Sequence, residues 1–155
     1  MHHVDIGKTQ PISYKALMAL HHASVKAAEE AGLSAGLVEL VKIRASQING
    51  CAYCLRLHTA DATTLGETAD RLAVLLAWRE TTDYFTDVER AAFEIAEYVT
   101  NIATTELNEE IRGRISGSLS PEQIAAIHWL SIVINAFNRV AISSHLHVGP
   151  TERSG

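Results

Sequence analysis

The sequence contains little of what several large classes of protein require. Two cysteines occur in 155 residues, which is too few for the disulfide framework of a small secreted domain. Basic residues form no long run and the formal net charge is −5, which argues against a nucleic-acid groove lined by Lys and Arg. No stretch of about 18 apolar residues is present either, so we expect no membrane-spanning helix.

The N-terminal residues, Met1 to Asp5, lack the basic segment and the apolar segment of a secretory signal. We therefore expect a cytoplasmic protein. In that reducing compartment a Cys-x-x-Cys pair is more typical of redox or metal chemistry than of a structural disulfide. A hydrophobic content of 47% over this length is enough for one compact core, so we expect a single domain over residues 1–155 with its core at about 13–148.

Proline is scarce, and its positions favour long helices. Only Pro11, Pro121 and Pro150 occur, which leaves the chain between the first two free of helix-breaking residues. No segment alternates apolar and polar residues for long enough to predict a strand. The sequence therefore predicts an all-α domain of about six to seven helices.

Capping residues and glycines set the expected helix boundaries. The first helix is predicted at about 13–31, and Asn49-Gly50 ends the second. The third opens near Cys51, and the last is apolar on more than one side, which is typical of a central or subunit-facing helix. The expected starting residues of the other helices are Ser34 for the second, Thr68 or Asp70 for the fourth, Thr86 for the fifth, Asn108 for the sixth and Ser120 for the seventh.

Three reactive side chains share one helical face. Cys51, Cys54 and His58 are spaced at i, i+3 and i+7, so a helix brings them together along one side. A Cys-x-x-Cys pair at a helix start can close a disulfide within one turn, and the amide dipoles there favour thiolate over thiol. An imidazole four residues after Cys54 can hold or pass a proton near neutral pH. This spacing predicts a thiol-based redox site.

A carboxylate from the preceding helix can join this group. Glu39 stands on the apolar side of the second helix, an awkward place for an acidic residue without a partner. If the second and third helices fold back on each other at Gly50, Glu39 lies 11 residues before the corner and His58 lies 8 after it. At about 1.5 Å per residue the two side chains differ in level by roughly 5 Å, which they can span directly or through water.

The order glutamate, eleven residues, then C-x-x-C-x-x-x-H resembles the signature of the AhpD-like alkylhydroperoxidases of the carboxymuconolactone decarboxylase superfamily. Glu39, Cys51, Cys54 and His58 all match it, and Tyr53 stands where the well-studied alkylhydroperoxidases have a second histidine. A second likeness is the segment Asn135-Ala-Phe-Asn-Arg139, which is similar to the Asn-Arg segment of the last helix in these proteins.

The resemblance implies a role for each of these residues. Cys54 would be the peroxidatic cysteine that becomes a sulfenic acid, Cys51 would donate a proton and then resolve it to a disulfide, and Glu39 with His58 would form a proton relay. It further implies a central helical hairpin, a hydroperoxide substrate, an external dithiol or dihydrolipoyl reductant, and a homo-oligomer, either trimer or hexamer. We expect no cofactor, no metal, no nucleic-acid partner and no membrane partner.

Several alternatives remain open at this stage. The cysteines could be inert or could bind structural zinc, with the fourth ligand coming from His145, His147 or a second chain. Arg44 or Lys42 could occupy the Glu39 carboxylate. Apart from that zinc alternative, no role is given to His21, His22, His145 or His147, and His2 and His3 are either tag residues or native ones. Trp78, Trp129, Tyr84 and Phe85 are interpreted as core or interface residues. Rival functions are a lactone decarboxylase, which needs no dithiol, and a non-catalytic redox sensor or metal-binding protein.

Overall fold

The computed structural model of the protein describes residues 3–150, and that part of the chain is helical with no strand. The prediction of an all-α fold is thus confirmed. Seven helices start at or close to the positions expected from the sequence, and two short elements were not expected. The helices are α1 (Ile6–Thr9), α2 (Pro11–Glu30), α3 (Ala35–Asn49), α4 (Ala52–Thr64), α5 (Ala69–Val74), α6 (Asp87–Thr100), α7 (Glu109–Ser118) and α8 (Pro121–Ser143), with a 3₁₀ helix (Leu75–Glu80) after α5.

Side-chain caps explain why these helices begin where they do. Each capping side chain accepts a hydrogen bond from the backbone N–H three residues later, which satisfies a donor that has no partner within the helix. Such a cap contributes about 1 kcal/mol. The residues that cap in this way include Ser34, Thr68, Thr86, Asn108 and Ser120, and Thr86 and Ser120 complete capping boxes with Glu89 and Gln123.

The two unexpected elements depend on contacts that the local sequence pattern does not reveal. α1 has only four residues, and the backbone N–H of Ile6 donates to Ser144 Oγ at 3.1 Å, which ties α1 to the end of α8. The expected fourth helix continues as a 3₁₀ helix beyond Val74. Leu75 and Trp78 are both buried, and a 3₁₀ helix places residues three apart on the same side.

The helix α3 lies at the centre of the fold. It contacts α4, α6 and α8, and Leu40, Val41 and Ile43 are almost completely buried. Even the charged residues Glu39 and Lys42 of this helix are buried. Because α3 is enclosed on several sides, its polar groups must find partners inside the protein.

α8 is also a core helix. Among residues 3–150 it is the one helix long and apolar enough to cross a membrane, by length and composition alone, and half of its most apolar stretch is buried in the protein. Asn135 and Asn138 are buried in α8 and make hydrogen bonds to residues of α3 and α6. This agrees with the central helix predicted from the breadth of its apolar surface.

Candidate active site

The hairpin corner between α3 and α4 positions the reactive side chains. Gly50 has φ of +66°, a left-handed conformation that glycine adopts without steric cost, and it ends α3. Cys51 then serves as the N-cap of α4. Hydrogen bonds to α8 hold the corner in place: Asn49 Nδ2 donates to Asn135 Oδ1 at 2.9 Å and to Asn138 Oδ1 at 2.7 Å.

The asparagine contacts extend into a buried network. Asn138 Nδ2 donates to Ser46 Oγ at 3.0 Å, and Asn135 Nδ2 donates to Thr100 Oγ1 at 2.9 Å. Arg139 in turn donates to Asn135. The Asn-Arg segment noted in the sequence therefore connects α8 to the turn that precedes Cys51.

The two cysteines form a disulfide, with their Cα atoms 5.4 Å apart. Cys51 is 1% exposed and Cys54 is 3% exposed. Cys51 Sγ also accepts the backbone N–H of Cys54 at 3.4 Å, so the first sulfur caps the helix that carries the second. Cys54 lines the adjacent cavity, whereas Cys51 is not part of its wall, and access to the pair is therefore through Cys54.

Glu39 and His58 meet directly across the hairpin. His58 Nδ1 lies 2.7 Å from Glu39 Oε2, and both residues are buried. The contact is direct. The height difference estimated from the sequence had allowed either a direct contact or one through water. The prediction that an acid group on α3 reaches the imidazole on α4 therefore agrees with the geometry.

Lys42 completes this buried group. Its Nζ donates to Glu39 Oε1 at 2.6 Å, so each carboxylate oxygen has its own partner. The sequence left open whether Glu39 forms a salt bridge or contacts His58. In the structure Glu39 does both. Arg44 is directed elsewhere, because its Nε donates to Glu97 Oε1 at 2.8 Å.

These contacts determine the protonation of Glu39 and the tautomer of His58. Burial raises the pKa of the Glu39 carboxyl, but the His58 hydrogen bond and the Lys42 charge outweigh burial and hold that pKa below its ordinary value of 4.5. Glu39 is thus ionised at neutral pH and can only accept hydrogen bonds. The proton of a neutral His58 must then lie on Nδ1, which leaves Nε2 as the proton acceptor of the ring.

A cavity of about 210 Å³ lies beside these residues. Most of its wall is apolar, with Phe137 and Leu130 of α8 on one side. The polar side chains in the wall are Cys54, His58, Lys42, His21, Ser24, Tyr14 and Tyr53. One sulfur of the disulfide, two imidazoles and one ammonium group thus line a common, mostly apolar space.

Sequence reasoning gave no role to His21, yet it lines this cavity. Burial lowers the pKa of its imidazole, and the nearby Lys42 charge lowers that pKa further, which keeps His21 neutral near pH 7. A signal for its position was present. His21 falls on the buried stripe of α2 with Ser24 and Ala28, at helical spacing from both.

The described residues give no support to a zinc site at the cysteines. Among residues 3–150, the group of three potential metal ligands within 4.8 Å of one another comprises Glu39, His58 and Asp61, without a cysteine. Asp61 is exposed, and the Lys42 ammonium already binds Glu39. A positive side chain at that distance opposes the binding of a metal cation.

Comparison with known proteins gives one family and several structural relatives. The family model "Carboxymuconolactone decarboxylase family" matches residues 11–98. The uncharacterized protein YdfG of Bacillus subtilis is 39% identical over 105 residues, which cover 68% of this chain and 71% of YdfG.

Solved structures share the whole fold. A protein of unknown function from Agrobacterium tumefaciens, provisionally named as the antioxidant defence protein AhpD, matches with a TM-score of 0.84 and 30% identity, over 98% of this chain and 100% of that one. The debrominase Bmp8 matches with a TM-score of 0.76 and 18% identity, over 92% of this chain and 74% of its own. At that identity the second likeness shows the fold alone, and the fold is shared by proteins of different activity.

Proposed function

The chain belongs to the carboxymuconolactone decarboxylase family and has the AhpD-like fold, and on that premise we propose that it is a thiol-dependent alkylhydroperoxidase. One observation carries the proposal. His58, which contacts Glu39 at 2.7 Å, lines a cavity together with Cys54, and Cys51 is disulfide-bonded to Cys54. The arrangement supplies a nucleophile, its base and a second thiol that can close the cycle.

In the first step of this cycle, His58 Nε2 accepts the thiol proton of Cys54. The thiolate then attacks the terminal oxygen of the hydroperoxide, and the O–O bond breaks. Cys54 is oxidised to a sulfenic acid, the peroxide is reduced, and the leaving alkoxide takes the proton back from His58 to become an alcohol. The ionised Glu39 stabilises the imidazolium between these transfers, while Lys42 balances the Glu39 charge.

In the second step Cys51 condenses with the sulfenic acid. A sulfur–sulfur bond forms between Cys51 and Cys54, the sulfenic oxygen leaves as water, and both sulfurs end in the oxidised state. An external dithiol, of the dihydrolipoyl type or similar, then reduces this bond by thiol–disulfide exchange and is itself oxidised to a disulfide. The reducing cytoplasm that we propose as its location would supply such a reductant.

The cavity supports the assignment of Cys54 as the peroxidatic residue. Position at the start of α4 would favour Cys51 as the more acidic thiol, because helix dipoles stabilise a thiolate there. However, Cys51 is buried away from the cavity, whereas Cys54 lines it together with His58. A peroxide in this space reaches Cys54 first.

A homo-oligomer is part of the proposal as well. Trp129 and Ile132 lie three residues apart on α8 and are 50% and 43% exposed, which is unusual for large apolar side chains on a core helix. Their burial against another copy of the chain would remove this surface from water. Light scattering of the purified protein measures the subunit number, and a monomer would contradict this part of the proposal.

The experiment that tests the function compares Cys54→Ser with Cys51→Ser. With an excess of dithiol, we expect Cys54→Ser to abolish hydroperoxide consumption and to leave no sulfenic acid. Cys51→Ser should react once and accumulate a sulfenic acid on Cys54, because the resolving thiol is gone. Mass spectrometry with a sulfenic-acid trap measures both outcomes.

The same experiment separates the rival functions. A redox sensor would be oxidised once and would not consume peroxide repeatedly in the presence of dithiol. A lactone decarboxylase would retain its activity in both cysteine variants, because that reaction needs no dithiol. Unchanged peroxide consumption in Cys54→Ser would contradict the peroxidase proposal.

A further inference from the structure

A second depression lies next to the cavity beside Cys54. This outer groove has a volume of about 650 Å³ and is bounded by α1, the first turns of α2 and the end of α8. Tyr14, Met18, Val140 and Leu146 line both the inner cavity and the outer groove. The four shared residues place the two spaces side by side, with mostly apolar side chains at the boundary.

The volumes indicate what the combined space can hold. The inner cavity, at about 210 Å³, is smaller than the roughly 300–1,000 Å³ that is typical for sites enclosing a drug-sized ligand. It fits the reacting end of an organic hydroperoxide but not a long chain. The outer groove provides the missing volume directly beside the inner cavity.

The outer end of the groove is positively charged. Lys8 and Lys15 both line it, together with one acidic residue, Asp5. Asp5 caps α1 and forms an ion pair with Lys8 at 3.3 Å, so these two charges balance each other. Lys15 makes no ion pair within residues 3–150 and is exposed, and it therefore supplies the net positive charge of the groove.

The distance from the reacting end to Lys15 follows from α2. His21 lines the inner cavity and Lys15 lines the outer groove, and they are six residues apart on this helix. At 1.5 Å per residue the separation along the axis is about 9 Å. Met18 and Tyr14 line both spaces, so a ligand that extends from one space to the other meets mostly apolar surface between them.

From these observations we infer that the two spaces join when a ligand binds and that the site takes an amphipathic hydroperoxide. Its peroxide group lies at Cys54, its hydrocarbon chain along Met18 and Tyr14, and a carboxylate at Lys15. The inference rests on the proposed function for its peroxide end only. The chain and carboxylate contacts depend on the groove itself. An acidic end group is favoured because the one unbalanced charge of the groove is positive.

The decisive experiment measures binding without turnover. Dodecanoate and the uncharged dodecanol are titrated calorimetrically into the wild-type protein, Lys15→Gln and the matched control Lys26→Gln. Lys26 is an exposed lysine on the same helix that pairs with Glu30 and lies outside the groove. We expect dodecanoate to bind the wild type about threefold more tightly than dodecanol at low ionic strength, since exposed charge pairs contribute modestly.

Lys15→Gln should remove this preference, and Lys26→Gln should keep it. Salt should weaken dodecanoate binding and leave dodecanol binding unchanged, because exposed charges are screened. Equal binding of both ligands to the wild type, or equal losses in the two lysine variants, would overturn the inference.

A kinetic comparison then separates the inference from the proposed function. A hydroperoxide of a long-chain fatty acid is compared with its methyl ester, and the ratio of their kcat/KM values is measured in the same three proteins. Consumption of both compounds with a ratio near one would overturn the carboxylate contact and leave the peroxidase activity standing. Selective binding of dodecanoate without any peroxide consumption would overturn the peroxidase activity and leave the ligand class standing.

Discussion

Two glutamates, the buried Glu39 of α3 and the partly buried Glu97 of α6, have similar electrostatic surroundings but differ in the chemistry that their partners allow. Each carboxylate is held by several donors, and in each the hydrogen bonds and positive charges outweigh burial and lower the pKa below 4.5. Glu39 is bound by His58 and Lys42. The partners of Glu97 are Arg44 at 2.8 Å, Trp78 Nε1 at 2.7 Å and Arg79 at 2.5 Å.

The difference lies in whether a partner can give up its proton. Guanidinium and indole groups keep their protons throughout the physiological pH range. The hydrogen bonds and ion pairs at Glu97 therefore hold α3, α6 and the 3₁₀ helix together but cannot transfer a proton. An imidazole exchanges its proton near neutral pH. His58 also lines the cavity with Cys54, whereas Glu97 lies away from it. A carboxylate whose hydrogen bonds are all made inside the protein therefore indicates a catalytic site only when its partner can exchange a proton and is accessible to a substrate.

The strongest test of this comparison replaces each glutamate by glutamine. We expect Glu39→Gln to lower kcat/KM for a hydroperoxide by about 10²- to 10⁴-fold, the range of general acid–base catalysis, because the imidazolium loses its anionic partner. Glu97→Gln should remain within about threefold of the wild type. Peroxide consumption under excess dithiol measures both. A large loss of activity in both variants would break the comparison.

Stability should respond to the Glu97 change as well. Glu97→Gln leaves the partly buried Arg44 without an anionic partner, whereas the exposed Arg79 keeps its ion pair with Glu94. We expect a loss of about 1–3 kcal/mol in the free energy of unfolding, measured by urea denaturation with the wild type as reference. No measurable loss would show that the ion pairs at Glu97 contribute little to the fold.

The cationic partners of the two glutamates, Lys42 at Glu39 and Arg44 at Glu97, allow a second comparison. Lys42→Met keeps most of the length of the side chain but removes the charge next to Glu39. Burial is then opposed by the hydrogen bond and the charge of His58 alone, and the Glu39 pKa should rise. The acid limb of the pH profile of kcat/KM should then move to higher pH by about one unit. Arg44→Met, which removes a partner of Glu97, should leave the profile in place. A profile that Lys42→Met does not move would contradict the role given to Lys42.

The smallest effect concerns stability at acid pH, where the two sites should behave alike. The pKa of each glutamate is lower in the folded protein than its ordinary value of 4.5. Each therefore stabilises the fold above about pH 4.5, and this contribution is lost as the pH falls through the lowered folded value. The difference in unfolding free energy between the wild type and either glutamine variant should shrink from pH 6 to pH 3. A difference that stays constant would contradict the lowered pKa values.

Much of the fold could be predicted from the sequence because the signals are local. Ser34, Thr86, Asn108 and Ser120 each cap the helix expected after them, and Gly50 adopts the left-handed conformation that ends α3. The level of Glu39 relative to His58 followed from the helical rise alone. These features depend on residues within a few positions of one another or on a single hairpin.

Other features depend on contacts between distant parts of the chain and were not predictable. The sequence could not decide whether Lys42 or Arg44 binds Glu39, because the choice depends on Glu97, which lies on α6 and attracts Arg44. Nor could it show that His21 lines the cavity, since the packing of α2 against α8 puts it there. The oligomer, the reductant and the roles of the cysteines remain predictions that the experiments above address.

The walls of the cavity come from the α3–α4 hairpin, from α8 and from α2. Glu39, Lys42 and the two cysteines lie on the hairpin, whose corner is hydrogen-bonded to α8 through Asn49. The helix α2 packs mainly against α8 and has few contacts with α3, which carries Glu39. Substitutions along α2 can thus change which substrates fit the cavity while the distances between the reacting atoms stay the same. This makes α2 the natural place to redesign substrate selectivity.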